Sequence, residues 1–210
     1  MVSFNDVIIL FIEIQIFTAS GALAPGPLSI ATFGSGMSHG WRAGLMASTG
    51  HLVAELPIFI LIAYGILNIE SVYGVSNALL IISSIYLLYL GYTHIKMENI
   101  EYVATGETRH PLLLGIIFTA FNPYFILWWV VIGSVFIYDS IKLLGFAWLP
   151  IVYISHVWMD YTWLLILSIL ADKGVTRFSS RYLRIINHLL GFILIFFGLK
   201  FVYDVLVNIV

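Results

Sequence analysis

Ala24-Pro25-Gly26-Pro27 interrupts the first apolar run of the chain, Val7–Phe33. That run is longer than the roughly 20 residues that a straight helix needs to cross a bilayer. Each proline removes a backbone N–H and its ring crowds the preceding turn, whereas Gly26 tolerates unusual dihedral angles. A second long run, Leu112–Tyr138, contains Asn122-Pro123. The sequence therefore predicts two helices that are broken inside the membrane.

The composition of the whole chain is that of a membrane protein. Of its 210 residues, 61% are hydrophobic and 10% are charged, and the mean hydropathy is +1.03, whereas soluble domains carry about 25% charged residues. We predict an all-α polytopic membrane protein, with a single transmembrane domain over residues 1–210 that has six transmembrane helices. The predicted spans are Val7–Phe33, Ala43–Ile66, Ser76–Ile95, Leu112–Tyr138, Phe146–Ala171 and Ile185–Val207.

The same composition excludes several classes of function. Cysteine is absent, which excludes disulfides and iron–sulfur clusters, and a net charge of −2 provides no basic surface for a nucleic acid. No cofactor is predicted. The expected partners are a small-molecule or ion substrate and the lipid bilayer; a homo-oligomer is compatible with the sequence, which does not specify an oligomeric state. An intramembrane enzyme is the least favoured alternative, because no convincing nucleophile is present.

The two halves of the chain resemble each other. Each predicted half, about 1–96 and about 112–210, contains three spans, and an odd number of spans inverts the second copy relative to the first. We therefore predict two inverted three-helix repeats, an architecture typical of secondary transporters that bind their substrate near the midplane. The matching features are Pro25 with Pro123, His51-x-x-x-Glu55 with His156-x-x-x-Asp160, and Ile85–Gly91 with Phe192–Gly198.

Basic residues in the connections predict the orientation, because Lys and Arg are retained on the cytoplasmic side. The even-numbered connections hold only Lys142, so both termini are expected outside a cell membrane, with a cytoplasmic loop at about 97–111. The odd-numbered connections hold Arg42, Lys96, Arg109, Lys173, Arg177, Arg181 and Arg184.

The strongest candidate site is the pair of His-x-x-x-acid motifs. Residues four apart share a helix face, so His51 faces Glu55 and His156 faces Asp160. A charged group inside a bilayer costs roughly 2.5–3.5 kcal/mol, which makes such groups rare unless they function. We expect all four to line one central cavity that binds a cationic group, a proton or both. The alternative is two local hydrogen bonds that lock helices together.

The helix breaks are candidate sites for an anion. Pro25, Gly26 and Pro27 expose backbone carbonyls and begin a new helix, whose N-terminus has free N–H groups and partial positive charge suited to a carboxylate. Asn122 and Pro123 form a milder version, in which the Asn side chain serves as a cap or a ligand. The alternative is an ordinary proline kink.

Other polar and aromatic residues of the spans carry weaker predictions. Glu13 lies in the first span, as an outer gate or as an interfacial carboxylate in a water-filled vestibule. Lys200 and Asp204 lie one turn apart and are expected to pair. Trp128 and Trp129 follow the second break and are expected to pack rather than to face the cavity.

Four stretches of the sequence together carry a family resemblance: Ala24–Pro27, Gly40–Gly44 with Gly50, Tyr86–Gly91 and Asn122-Pro123. With these residues the chain resembles the lysine-exporter (LysE) superfamily and is similar to its RhtB-like amino-acid exporters, over essentially its whole length. This resemblance implies six spans in two three-helix repeats and an exporter that moves amino acids or related small metabolites outward, against the entry of protons or cations.

A divalent metal exporter remains the alternative, because members of the wider superfamily move metal ions. This sequence departs from the common pattern in placing a histidine one turn before each acid. His51, Glu55, His156 and Asp160 would then form a mixed nitrogen and oxygen site for a borderline metal.

Overall fold

The computed structural model of the chain describes residues 3–69, 75–96, 102–103, 109–175, 177–178 and 180–209. Helices account for nearly all of the regular structure in this part. In chain order they are α1 (Phe4–Ala22), α2 (Pro27–His39), α3 (Arg42–Ile69), α4 (Val75–Lys96), α5 (Pro111–Ala120), α6 (Pro123–Trp128), a π-helix (Trp129–Gly133), α7 (Ser134–Leu144), a 3₁₀ turn (Phe146–Trp148), α8 (Leu149–Asp172) and α9 (Ser180–Ile209).

The first predicted break separates α1 from α2. The amide of Ala24 bonds back to the carbonyl of Gly21, and Pro25 then offers no N–H to continue the ladder. Gly26 is an extended N-cap (φ −117°, ψ 176°), and Pro27 takes the first helical position, where a missing N–H costs no hydrogen bond. The predicted interruption of the first span is confirmed.

The second predicted break separates α5 from α6. Asn122 is the N-cap of α6, and its Oδ1 accepts a hydrogen bond from the N–H of Tyr124 at 3.0 Å. After six residues the helix widens into the π-helix. A Cβ on Gly133 would overlap the ring of Trp129, so glycine lets that indole fold back over the widened turn. The fourth predicted span is therefore broken as expected and also contains a π-helix, which the sequence did not reveal.

Five helical segments of the described chain are long and apolar enough to cross a membrane. The predicted third span coincides with α4, whose first six side chains lie outside the described residues, so the count of six spans stays a prediction. Most of the predicted loop at 97–111 also lies outside the described residues. The five segments are Phe4–Ala22, Arg42–Ile66, Tyr124–Leu144, Phe146–Asp172 and His188–Val207, with the shorter apolar helix Pro111–Ala120 before the second break.

The predicted all-α fold is confirmed, and the connections add one short β-ladder to it. Tyr102 and Val103 pair in an antiparallel ladder with Phe178 and Arg177. Both segments lie in connections predicted as loops, where backbone groups without a helical partner gain hydrogen bonds by pairing with each other. The ladder brings the connection after α4 and the connection after α8 to the same end of the bundle.

Glycines set the closest helix crossings. α3 meets α5 at Gly50 and Gly115, where a Cβ on either residue would overlap a backbone carbonyl oxygen of the opposite helix. α4 meets α9 in the same way at Gly91 and Gly191, and a Cβ on Gly91 would lie 2.7 Å from the Gly191 carbonyl oxygen. Small residues at these points let the helix backbones touch, as is common between membrane helices.

Two hydrophobic clusters fill the bundle. The main core involves α1, α3, α4 and the helices after the second break, together with α8 and α9. A separate cluster, which we call the second core, lies between α2, α3 and α8. Its buried members are Phe33, Ala47, Trp163, Leu164, Leu167 and Ala171.

The contact between α3 and α5 yields the first prediction. Gly115→Ala should lower the thermal stability of the purified protein in detergent, because overpacking of this kind costs about 1–3 kcal/mol. Gly65→Ala, in α3, is the matched control, since a Cβ there meets nothing within 4 Å. Equal melting temperatures for the two variants would contradict this packing.

Candidate functional site

A cavity of about 80 Å³ lies between the two helix breaks. Its walls come from the residues around each break and from the middle of α3 and α8. A cavity of this volume holds an ion or a few water molecules, and it is smaller than the roughly 300 Å³ of the smallest pockets that enclose a metabolite. Its lining includes His51, Glu55, Asn122, Trp128, His156 and Asp160, with Gly26, Leu28 and Ser29 from the start of α2.

The four residues of the His-x-x-x-acid motifs meet at this cavity. Glu55 Oε2 lies 2.9 Å from His51 Nε2 and 3.5 Å from His156 Nε2. Asp160 is more distant, with Oδ1 3.9 Å from His51 Nε2 and Oδ2 3.7 Å from His156 Nε2. The contacts run between the motifs as well as within them, so the arrangement is one cluster rather than two local pairs.

The cluster leaves carboxylate oxygens without partners. Glu55 Oε1 and Asp160 Oδ2 are buried and have no hydrogen-bond partner within the part of the chain that the structure describes. Burying an ionised carboxylate is costly unless it is paired, and the two imidazoles balance the two acids only when both are protonated. The site therefore favours an added cation or hydrogen-bond donor.

Two threonines fix the imidazoles from the opposite half of the chain. Thr18 Oγ1 in α1 lies 2.7 Å from Nδ1 of His156 in α8, and Thr119 Oγ1 in α5 lies 2.7 Å from Nδ1 of His51 in α3. With Nδ1 held by a hydroxyl, each ring presents Nε2 to the carboxylates. Sequence reasoning missed both residues, because membrane helices commonly contain threonines that bond only to their own backbone.

Aromatic rings enclose one side of the cluster. Trp128 stacks on His156 with centroids 5.5 Å apart, and Trp129 meets the same imidazole edge-on at 5.1 Å. The Trp128 indole N–H donates to Ser20 Oγ at 3.1 Å, which ties the second break to the end of α1. Both tryptophans pack in the main core, as expected, and both also line the cavity beside His156.

The two predicted helix ends differ in the structure. Gly26, Leu28 and Ser29 line the cavity, so the first turn of α2, whose N–H groups have no partner within the helix, faces it. At the second break, the Asn122 side chain also lines the cavity, but its oxygen serves as the helix cap. The side chain of Pro123 lies outside the described residues.

Glu13 lies away from this cavity. Its Oε1 accepts a hydrogen bond from Lys200 Nζ at 2.9 Å, which joins α1 to α9. The predicted pairing of Lys200 with Asp204 cannot be compared, since the Asp204 side chain lies outside the described residues. Sequence reasoning did not foresee the contact with Glu13, because the two residues lie 187 positions apart.

Three residues of the cluster also meet the geometry of a metal site. One ligand atom each from His51, Glu55 and Asp160 lie within 4.8 Å of one another. Imidazole nitrogen with carboxylate oxygen suits a borderline divalent cation such as zinc or manganese. The same three groups also suit an ammonium group or a proton, so the donor set alone does not choose between these occupants.

A comparison with models of protein families places the chain in a family. The model of the family described as LysE type translocator matches residues 19–205, most of the chain. The chain belongs to the LysE type translocator family. It is a membrane transporter, which agrees with the expectation that it is not an enzyme. Comparisons with curated proteins and with solved structures gave no significant match.

The hydroxyl of Thr18 supplies a test of the site's geometry. Thr18→Val keeps the shape of the side chain but leaves His156 Nδ1 unpaired in a buried place, which costs about 1–3 kcal/mol. The translocator carrying Thr18→Val should therefore melt at a lower temperature than the wild type, whereas Thr18→Ser should melt near it. Equal stability of the two variants would show that the hydroxyl does not hold the ring.

Proposed function

We propose that this translocator is a secondary active exporter of amino acids or related small metabolites, coupled to the influx of protons or another cation. The observation that carries the proposal is the buried cluster of Glu55 and Asp160, each with an oxygen that lacks a partner, facing the same cavity as the N-terminus of α2. The wall formed by the two carboxylates is negative, and the wall formed by the N-terminus of α2 carries partial positive charge. A zwitterion matches both of them, with its ammonium group at the carboxylates and its carboxylate at the helix end.

The geometry also supports an inverted repeat of three spans in each half. The two breaks occupy corresponding spans, and each broken helix contributes a threonine that bonds to a histidine of the other half, Thr18 to His156 and Thr119 to His51. Inverted repeats exchange their conformations when a carrier alternates its access. On this proposal the six spans lie in a cell membrane with both termini outside.

The histidines supply a route for coupling. Histidine changes its charge near neutral pH, and both Nε2 atoms here face Glu55. A proton taken up by the cluster would compete with the ammonium group of the solute for the same carboxylates. Such competition makes binding of the driving ion and of the solute mutually exclusive, which is what exchange across a membrane requires.

A divalent metal ion is the second candidate cargo. The convergence of His51, Glu55 and Asp160 within 4.8 Å favours it. The Nδ1 contacts of the two histidines would then orient Nε2 toward the metal, as hydrogen bonds from outside a metal site commonly do.

Glu13 has a separate proposed role at the outer end. Its ion pair with Lys200 joins α1 to α9, and α1 is one of the two broken helices. Opening of the outer end would separate these side chains, so we retain Glu13 as a gate residue whose partner is Lys200.

Substitution of the two acids tests the site. Glu55→Gln and Asp160→Asn should each lower the export of a radiolabelled amino-acid mixture from proteoliposomes at least about tenfold, because a charge-assisted contact contributes roughly 1.5–3 kcal/mol. Asp6→Asn, which changes an exposed carboxylate in the first turn of α1 outside the cavity, is the matched control and should keep wild-type flux. Wild-type flux in both cavity variants would refute the proposed site.

Thermal stabilisation separates the two kinds of cargo. We expect amino acids to raise the melting temperature of the purified translocator in a saturable way, with the effect lost in Asp160→Asn. A saturable rise with zinc or manganese, lost in His51→Ala and His156→Ala and absent with every amino acid, would instead assign the metal as cargo.

A further inference from the structure

Three buried polar groups outside the cavity lining have no hydrogen-bond partner in the described part of the chain. Tyr153 Oη precedes Asp160 along α8, whereas Thr32 Oγ1 in α2 and Trp163 Nε1 in α8 both lie toward Gly40 and Asp172. Thr32 is fully buried and Trp163 is 8% exposed. A buried donor or acceptor that makes no hydrogen bond destabilises the conformation in which it is left. Such a group is explained if it gains a hydrogen bond in another conformation or from a ligand.

Thr32 Oγ1 and Trp163 Nε1 both lie one helical turn along their helices from a polar residue that lines the cavity, toward the same end of the bundle. Thr32 follows the cavity residue Ser29 by three positions, and Trp163 follows the cavity residue Asp160 by three. Residues three apart share a helix face. α2 and α8 run side by side toward Gly40 and Asp172, where the backbone of one approaches the carboxylate of the other. The two unpartnered groups therefore continue the polar lining of the cavity toward that end of the bundle.

The second core packs around both groups in this conformation. Phe33 and Leu167 are fully buried there. The existing cavity of about 80 Å³ is also too small to enclose a whole amino acid. A solute held at Glu55 and Asp160 therefore needs additional space on some side, and the side toward Thr32 and Trp163 already has polar groups in place.

Beyond the large side chains of the second core, the contact between α2 and α8 is built from small residues at Gly36, Ser168 and Ala171. A Cβ on Gly36 would lie 2.6 Å from the Ser168 carbonyl oxygen and 2.9 Å from Ala171 Cβ, so the helix surfaces meet almost backbone to backbone. The second core that seals this contact is separate from the main core. Separation of α2 from α8 would expose the second core and leave the main core intact.

We propose that α2 and α8 separate in the conformation that opens the cavity toward Gly40 and Asp172, and that Thr32 and Trp163 then bind the carboxylate group of the passing solute. The indole N–H only donates hydrogen bonds, and the threonine hydroxyl donates as readily as it accepts, so the pair recognises an acceptor. This second binding position rests on the proposed export function. It extends the route of the solute by one helical turn beyond Asp160.

The first test compares flux with stability. Thr32→Val keeps the shape of the side chain and removes the unpartnered hydroxyl, so it should lower the flux of a radiolabelled amino-acid mixture about tenfold while leaving the melting temperature unchanged or higher. Trp163→Phe removes the unpartnered N–H together with part of a buried ring, so it should lower the flux to the same extent and also lower the melting temperature. Ser140→Ala is the control, because Ser140 Oγ is buried outside the cavity and donates to the Phe136 carbonyl at 2.6 Å; it should keep wild-type flux. Wild-type flux in Thr32→Val and Trp163→Phe, or a loss of flux in Thr32→Val matched by a loss of stability, would overturn the proposal.

The second test uses the absence of cysteine from the chain. Thr32→Cys introduces the sole thiol, which a soluble maleimide should modify in proteoliposomes during transport of the amino-acid mixture. Ser140→Cys, buried in α7, should stay unmodified under the same conditions. Equal modification of the two thiols would overturn the proposed opening.

The acidic variants distinguish a failure of this inference from a failure of the function. Wild-type flux in Glu55→Gln and Asp160→Asn refutes the export site itself, whatever happens at Thr32. Loss of flux in those two variants with normal flux in Thr32→Val and Trp163→Phe refutes only the second binding position.

Discussion

The two carboxylates buried inside the helix bundle, Glu55 and Asp160, are the constraint on which the rest of the structure depends. An unpaired charge in an apolar bundle is too costly to keep, so the surrounding helices must supply partners. Two histidines one turn away supply part of the compensation, and two threonines from the opposite half orient those histidines. Glu55 Oε1 and Asp160 Oδ2 still lack a hydrogen-bond partner, so a cargo that bonds to them gains the most binding free energy.

The helix breaks make room for this arrangement. An unbroken helix satisfies all of its own backbone groups and offers nothing to a solute, whereas a break at Pro25 to Pro27 turns the first N–H groups of α2 toward the same cavity as the carboxylates. The second break serves a different purpose. It is followed by Trp128 and, at the start of the π-helix, Trp129, whose rings pack against His156 and cover one side of the cluster. A symmetric sequence pattern has thus produced two unequal walls.

The two helix breaks and the two histidine–acid contacts were predictable from the sequence, because both follow from local patterns along a helix. Proline beside Gly26 or Asn122 favours a break, whereas Pro57 alone lies inside the continuous helix α3, so both breaks could be located. The spacing of four residues placed each histidine over its acid. Contacts between distant residues could not be foreseen. The bonds of Thr18 and Thr119 to the histidines, the pairing of Glu13 with Lys200 and the ladder at Tyr102 depend on how helices and connections pack, which no local pattern encodes. The π-helix could not be predicted for a similar reason, because the need for glycine at position 133 follows only from the ring of Trp129 that lies over it.

The most direct test of the account is an experimental structure of the wild-type translocator saturated with an amino acid that it exports. The account predicts density for the ammonium group within hydrogen-bond distance of Glu55 Oε1 and Asp160 Oδ2, and density for the carboxylate at the first turn of α2. Density for the solute elsewhere in the bundle, with these two oxygens still unpartnered, would contradict it.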